Sequence, residues 1–193
     1  MSRAAPPTSP PRRPELVIIT GLSGSGKGTV LKCLEDLGYY SVDNLPIELI
    51  PKFAELTRDS PSIRAAALVV DIREAAGLKD FPALYGKIRR RIPTTLVFLE
   101  ADDETLVRRF SETRRPHPLG TGRSVVKSIR AERRALALIR ELADWVLNTS
   151  KFNVHELREA VEERFGGGRA QAKIMVYVTS FGYRYGVPAD SDL

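Results

Sequence analysis

Apolar residues along this chain recur at two spacings, one suited to strands and one to helices. Leu16 to Thr20 is a short apolar run rich in β-branched residues, the composition of a strand buried on both faces. After a glycine-rich stretch, Val30, Leu31, Leu34 and Leu37 recur at helical spacing, and Gly38 stands where a C-terminal cap falls. Tyr39, Tyr40 and Val42 predict a second strand ending at Asp43-Asn44-Leu45-Pro46. Pro46 to Arg58 then reads as a helix with proline in its first turn. Ala65 to Asp71 is a third strand, Pro82 to Arg91 a helix, Thr95 to Leu99 a fourth strand and Asp103 to Thr113 another helix.

Arg114 to Arg123 breaks the pattern and is basic. Beyond it come one long amphipathic helix from Val125 to Leu142, a fifth strand at Trp145 to Leu147, and a helix over Asn153 to Phe165. Gly166-Gly167-Gly168 is a flexible break, and Ile174 to Thr179 suits a sixth strand. Strands alternating with helices predict an α/β fold, a three-layer domain with a mainly parallel sheet and helices on both faces. Met1 to Pro14, with five prolines and three arginines, reads as a disordered tail. That places the domain over residues 15–165, followed by a linker and a further segment over 166–193.

The stretch between the first strand and the first helix changes the picture from fold to chemistry. Gly21, Leu22, Ser23, Gly24, Ser25, Gly26, Lys27, Gly28 and Thr29 form a loop with the P-loop spacing, Gly21-x-x-x-x-Gly26-Lys27. Phosphate is well held by backbone N–H groups converging on its oxygens, and glycines permit both the close approach and the positive φ this needs. The helix N-terminus adds unsatisfied donors and partial positive charge. Lys27 is then placed to reach the outer phosphates. The expected fold class is therefore a kinase-like P-loop domain. One position departs: where Ser or Thr supplies a Mg²⁺ ligand, this chain has Gly28. Thr29 comes one residue late, and about 100° of helical turn per residue keeps it from simply replacing that ligand. Gly-Lys-Gly-Thr resembles the loop of adenylate kinases, where metal contacts run largely through water.

Composition adds bounds. The chain has 193 residues, 42% hydrophobic and 28% charged, ordinary for a soluble globular protein. No apolar run reaches a membrane-spanning length and no hydrophobic signal follows the start, so a cytoplasmic protein without membrane contact is expected. The net charge of +6 suits phosphate-bearing ligands and permits nucleic-acid contact. Cys33 is the sole cysteine, which excludes an internal disulfide framework and reads as core packing.

Other residues have alternative readings. Asp71 ends an apolar run in the manner of a Walker B acid that orients Mg²⁺, against a role as a cap. Asp43 ends the neighbouring strand in the same way and competes for that role, or acts as a base. Thr29, Asp43 and Asp71 are thus the candidate Mg²⁺ contacts, directly or through water. Arg108, Arg109, Arg114, Arg115 and Arg123 fit either a phosphate-covering lid or a solvated basic loop. His117, between two prolines, fits a rigid loop as well as catalysis, and His155 reads as structural.

Several strings together resemble one family. LGYYSVDNLP (37–46), ALVVDIR (67–73), FSETRRPHPL (110–119), LNTS (147–150) and SFGYRYGVPADSDL (180–193) look like the RapZ/YvcJ family of bacterial P-loop proteins, also called RNase adapter proteins. The resemblance implies a regulatory domain that binds ATP and GTP and hydrolyses them slowly. It implies an ATP site at Gly21 to Gly28 and a GTP-associated stretch at Asp71, Ile72, Arg73 and Glu74. Gly28 departs from the family loop as well. The resemblance further implies a C-terminal domain, opening at the last string and mostly missing here, which in enterobacterial members binds small regulatory RNAs. An RNA or protein partner would act through it, and a homo-oligomer stays open. Two rival readings remain: a small-molecule or nucleoside monophosphate kinase, favoured by Gly-Lys-Gly-Thr and the basic segment, and an RNA-binding adaptor with a vestigial nucleotide site.

Overall fold

A computed structural model describes residues 15–70, 75–113, 117, 118, 124–166 and 184 (for 75–78, the backbone alone). Five strands form one sheet: β1 (Glu15–Gly21), β2 (Tyr40–Val42), β3 (Ala65–Val69), β4 (Thr94–Glu100) and β5 (Trp145–Asn148). Their order is β2-β3-β1-β4-β5, and every pairing is parallel. The β1 run is central, as its apolar composition on both faces requires, with Ile19 opposite Val69 on one side and Gly21 opposite Leu99 on the other. Parallel pairing brings the carboxyl ends of all five strands to one edge, where loops in such sheets collect ligands.

Alternate residues of β1 feed two cores. Leu16 and Ile18 face α2 (Ile50–Asp59), α3 (Ala75–Arg89), α4 (Asp103–Thr113), α5 (Val125–Ala135) and α6 (Ala137–Leu142), through Ile50, Phe81, Leu106, Ile129 and Ile139. Val17 and Ile19 face α1 (Lys27–Asp36) and α7 (Val154–Phe165), through Val30, Leu34, Leu157 and Val161. Asn153 caps α7 by accepting from the amides of His155 and Glu156, and Glu156 returns a bond to the Asn153 amide.

Two helix boundaries differ from the pattern. The helix expected from Pro82 begins at Ala75 and carries Pro82 in its interior. An interior proline costs about 3 kcal/mol, while each of Phe81, Tyr85 and Ile88, buried at i, i+4 and i+7, returns roughly 1.5–3 kcal/mol. Packing wins. The helix expected from Val125 to Leu142 is two helices that meet at Leu136, whose φ of −89° and ψ of 2° leave the helical range. No Gly or Pro marks this break. Glu132, before the break, meets the glycine loop, and Ile139, after it, enters the sheet core. The terminal segment 1–14, Asp71 to Glu74 and the expected sixth strand at 174–179 lie outside the described residues.

Candidate functional site

β1 delivers the chain into the loop at Gly21, where backbones nearly touch. A Cβ there would lie 2.0 Å from the Leu99 carbonyl oxygen, and φ is +132°. Gly24 and Gly26 follow at φ 80° and 98°, in the left-handed region that favours glycine. Ser25 tightens the turn, its hydroxyl and its amide both donating to the Leu22 carbonyl at 2.6 and 3.2 Å. Gly26 is the N-cap of α1, so no side chain caps this helix, and no acidic residue stands in its first turn. The start of α1 therefore keeps its positive end uncompensated. Among the described residues none accepts from the amides of Gly24, Gly26 or Gly28. The positive φ values at Gly21, Gly24 and Gly26 are those the glycine spacing calls for.

Lys27 folds over the same loop, its Nζ donating to the carbonyls of Gly21 and Leu22 at 2.9 Å each. Two braces hold the loop from outside. Arg109 of α4 donates to the Gly24 carbonyl at 3.0 Å, and Thr149, just after β5, donates to the Ser25 carbonyl at 2.9 Å. Glu132 of α5 accepts from both the amide and the hydroxyl of Ser23. Burial, followed by the charge of Arg108, lowers the pKa of Arg109 from its usual value; a guanidinium starts so high that it remains a cation at neutral pH.

The predicted residues do not all gather here. Thr29 sits in the first turn of α1, its amide donating to the Gly26 carbonyl at 3.0 Å. Asp43 is exposed just after β2, the outermost strand on its side, whereas β3, the strand that leads toward Asp71, lies directly beside β1. Asp71, Ile72, Arg73 and Glu74 themselves fall outside the described residues, as do Arg114, Arg115 and Arg123. Arg108 is exposed and 3.9 Å from Glu112. His155 is exposed and pairs with Glu159 on its own helix. His117 is buried, its ring 5.0 Å from that of Phe110 between centroids.

Sequence reasoning missed Glu132 and Thr149 altogether and left Arg109 as one of several lid candidates. A signal for Glu132 was present: it shares an apolar helical stripe with Ile129, Leu136 and Ile139, where a carboxylate needs partners. Thr149 stands inside the LNTS string, but nothing local says that its hydroxyl reaches back to the loop.

A glycine nest at the end of a central parallel strand, with a lysine opening the next helix, defines a P-loop domain of kinase-like fold. Two solved shikimate kinases share it. That of Acinetobacter baumannii, in complex with shikimate, covers 81% of this chain and 95% of its own at TM-score 0.52 and 17% identity. That of Bacteroides thetaiotaomicron covers 78% and 98% at TM-score 0.53 and 15% identity. Likeness at such identity speaks for the fold alone.

The chain belongs to the RapZ-like family, whose N-terminal domain matches residues 14–169. A protein of Solibacter usitatus named nucleotide-binding protein is 69% identical over 96% of this chain, and one of Koribacter versatilis is 60% identical over 97%. The chain spans 58% and 62% of the length of these curated relatives. Among the described residues no helix is long and apolar enough to cross a membrane.

Proposed function

We propose that this domain binds a nucleoside triphosphate, ATP or GTP, at Gly21 to Thr29 and hydrolyses it slowly, as the nucleotide-responsive part of a cytoplasmic RapZ-like regulator. The observation that carries this reading is the set of amides at Gly24, Gly26 and Gly28 that no described residue engages, at the start of α1, which has no side-chain cap among the described residues, and beside Lys27. The names of the two relatives, both nucleotide-binding proteins, support it.

In this reading the amides hold the inner phosphates, and Lys27 exchanges its two carbonyl acceptors for oxygens of the β and γ phosphates. Asp71 or Asp43 orients the attacking water or the metal, Arg114 and Arg115 close over the phosphates, and Asp71 to Glu74 contribute to GTP. Bound Mg²⁺ would neutralise phosphate charge. Among the described residues no cluster of three His, Cys, Asp or Glu is placed to hold a metal. A nucleotide-borne Mg²⁺ keeps several waters and needs only one or two protein oxygens; in this reading Thr29, Asp43 or Asp71 would supply them, directly or through water. Gly28 offers no hydroxyl, in keeping with slow turnover. An RNA or protein partner would engage the part of the relatives that lies outside this chain.

Calorimetry tests the reading. Lys27→Ala should lower ATP and GTP affinity about tenfold or more, the loss of a charge-assisted contact, while the circular dichroism spectrum stays unchanged. Unaltered nucleotide affinity in that variant would show the loop is not the site. Turnover accelerated many-fold by one small-molecule acceptor would turn the reading to a kinase.

A further inference from the structure

Glu132 sits in the middle of α5 with only 1% of its surface exposed. A buried carboxylate is costly unless its oxygens are bonded. Both are. Oε1 receives the Ser23 hydroxyl at 2.7 Å, and Oε2 receives the Ser23 amide at 3.0 Å. His117 also approaches Oε2, its Nε2 3.3 Å away, within ion-pair distance. The order does not suit nucleophile activation, because the hydroxyl gives its hydrogen to the carboxylate rather than to the imidazole.

The arrangement suits the control of loop shape. Ser23 opens the peptide unit that contains the Gly24 amide, and Gly24 takes the left-handed turn at φ 80°. The Ser23 amide belongs to the preceding peptide unit, so with both Ser23 donors on one carboxylate that unit and the Ser23 side chain are held by two charge-assisted bonds. The Arg109 bond to the Gly24 carbonyl pins the peptide after Gly24. We infer that Glu132 is a positioning residue for the phosphate loop, holding Ser23 so that the Gly24 amide is preset for an anionic oxygen, and that Ser23 is not itself a ligand. This rests on the nucleotide reading above. It narrows that reading: the clamp acts on phosphate, whatever base is attached.

The test is calorimetry on the whole chain with ATP, GTP and inorganic tripolyphosphate, for the wild type, Glu132→Gln, Ser23→Ala and the double variant. Glutamine keeps one acceptor oxygen, so one Ser23 donor loses its partner, and Ser23→Ala removes the hydroxyl bond. Each single variant should weaken all three ligands by a similar factor, about tenfold. The double variant should be little weaker than the worse single one, because both changes break one device. Wild-type affinities in the variants would overturn the inference. So would losses that add, or that simply follow a fall in the melting temperature of the unliganded protein, since those mark a structural role. If Glu132→Gln does not fold, Ser23→Ala decides by the same criteria. A wild type that binds none of the three ligands would instead sink the nucleotide reading itself.

Discussion

Arg109 donates to both oxygens of Thr149, to the hydroxyl at 3.0 Å and to the carbonyl at 2.8 Å, while the same Nη1 reaches the Gly24 carbonyl. Thr149 is 1% exposed and passes its own hydrogen to the Ser25 carbonyl. One guanidinium thus ties α4, the end of β5 and the glycine loop together. Arg109→Ala should cost about 2 kcal/mol, the worth of bonds to a charged donor, seen as a fall of several degrees in a thermal melt. Arg109→Lys should recover only part of that, because an ammonium lacks the planar fork that serves separate acceptors.

The loop glycines should not be equally replaceable. Gly21→Ala places a Cβ 2.0 Å from the Leu99 carbonyl oxygen at a φ that alanine resists, and the atoms it meets are all backbone of Leu99, which cannot move aside as a side chain could. A loss of more than about 3 kcal/mol is expected, read as failure to obtain folded protein or a collapsed urea midpoint. Gly28→Ala should do the reverse: its Cβ meets nothing within 4 Å, and alanine favours the helix by about 1 kcal/mol over glycine.

Gly28→Ser tests the metal question directly. The open space at position 28 accepts the side chain, and the hydroxyl stands where Mg²⁺ ligation by P-loops is usual. ATP affinity should rise several-fold with Mg²⁺ present and stay the same in EDTA. An equal change in both conditions would place the effect in the helix rather than the metal.

Acid should weaken the carboxyl edge of the sheet. Glu100 ends β4 and accepts from Arg140 at 2.8 and 3.0 Å, which holds its carboxyl below the ordinary 4.5 against the opposing effect of burial. A depressed folded value means the contribution is fully present above that ordinary value and is lost as pH falls through the folded one. Asp103, held down by Arg133, acts in the same direction. The urea midpoint should therefore fall as pH drops below 4.5, and less steeply in Glu100→Gln.

Cys33 offers a probe of the α1–α7 contact. Burial, then the charge of Glu162, pushes its thiol up to about 11, and its Sγ lies 3.7 Å from the Arg158 carbonyl. Iodoacetamide at pH 8 should leave the native protein unmodified and label it in urea, since the thiolate is the reactive form. Labelling of the native protein at the rate of a free thiol would show that α7 detaches from α1.

Features written in short-range periodicity and steric need are readable from the residues alone. β1 and the helix after it were legible because apolar residues at spacings suited to strand and helix specify backbone form locally. The loop was legible because Gly21, Gly24 and Gly26 stand where positive φ leaves no other residue comfortable. The partners of that loop emerge only once the chain is packed. Glu132 meets Ser23 across 109 residues, Thr149 meets Ser25 across 124, and Arg109 meets Gly24 across 85. Local pattern says that a buried carboxylate or hydroxyl needs a partner, but only the packed chain says which. The bend at Leu136 and the proline inside α3 belong to the same class, because core packing there outweighs the local preference of the backbone.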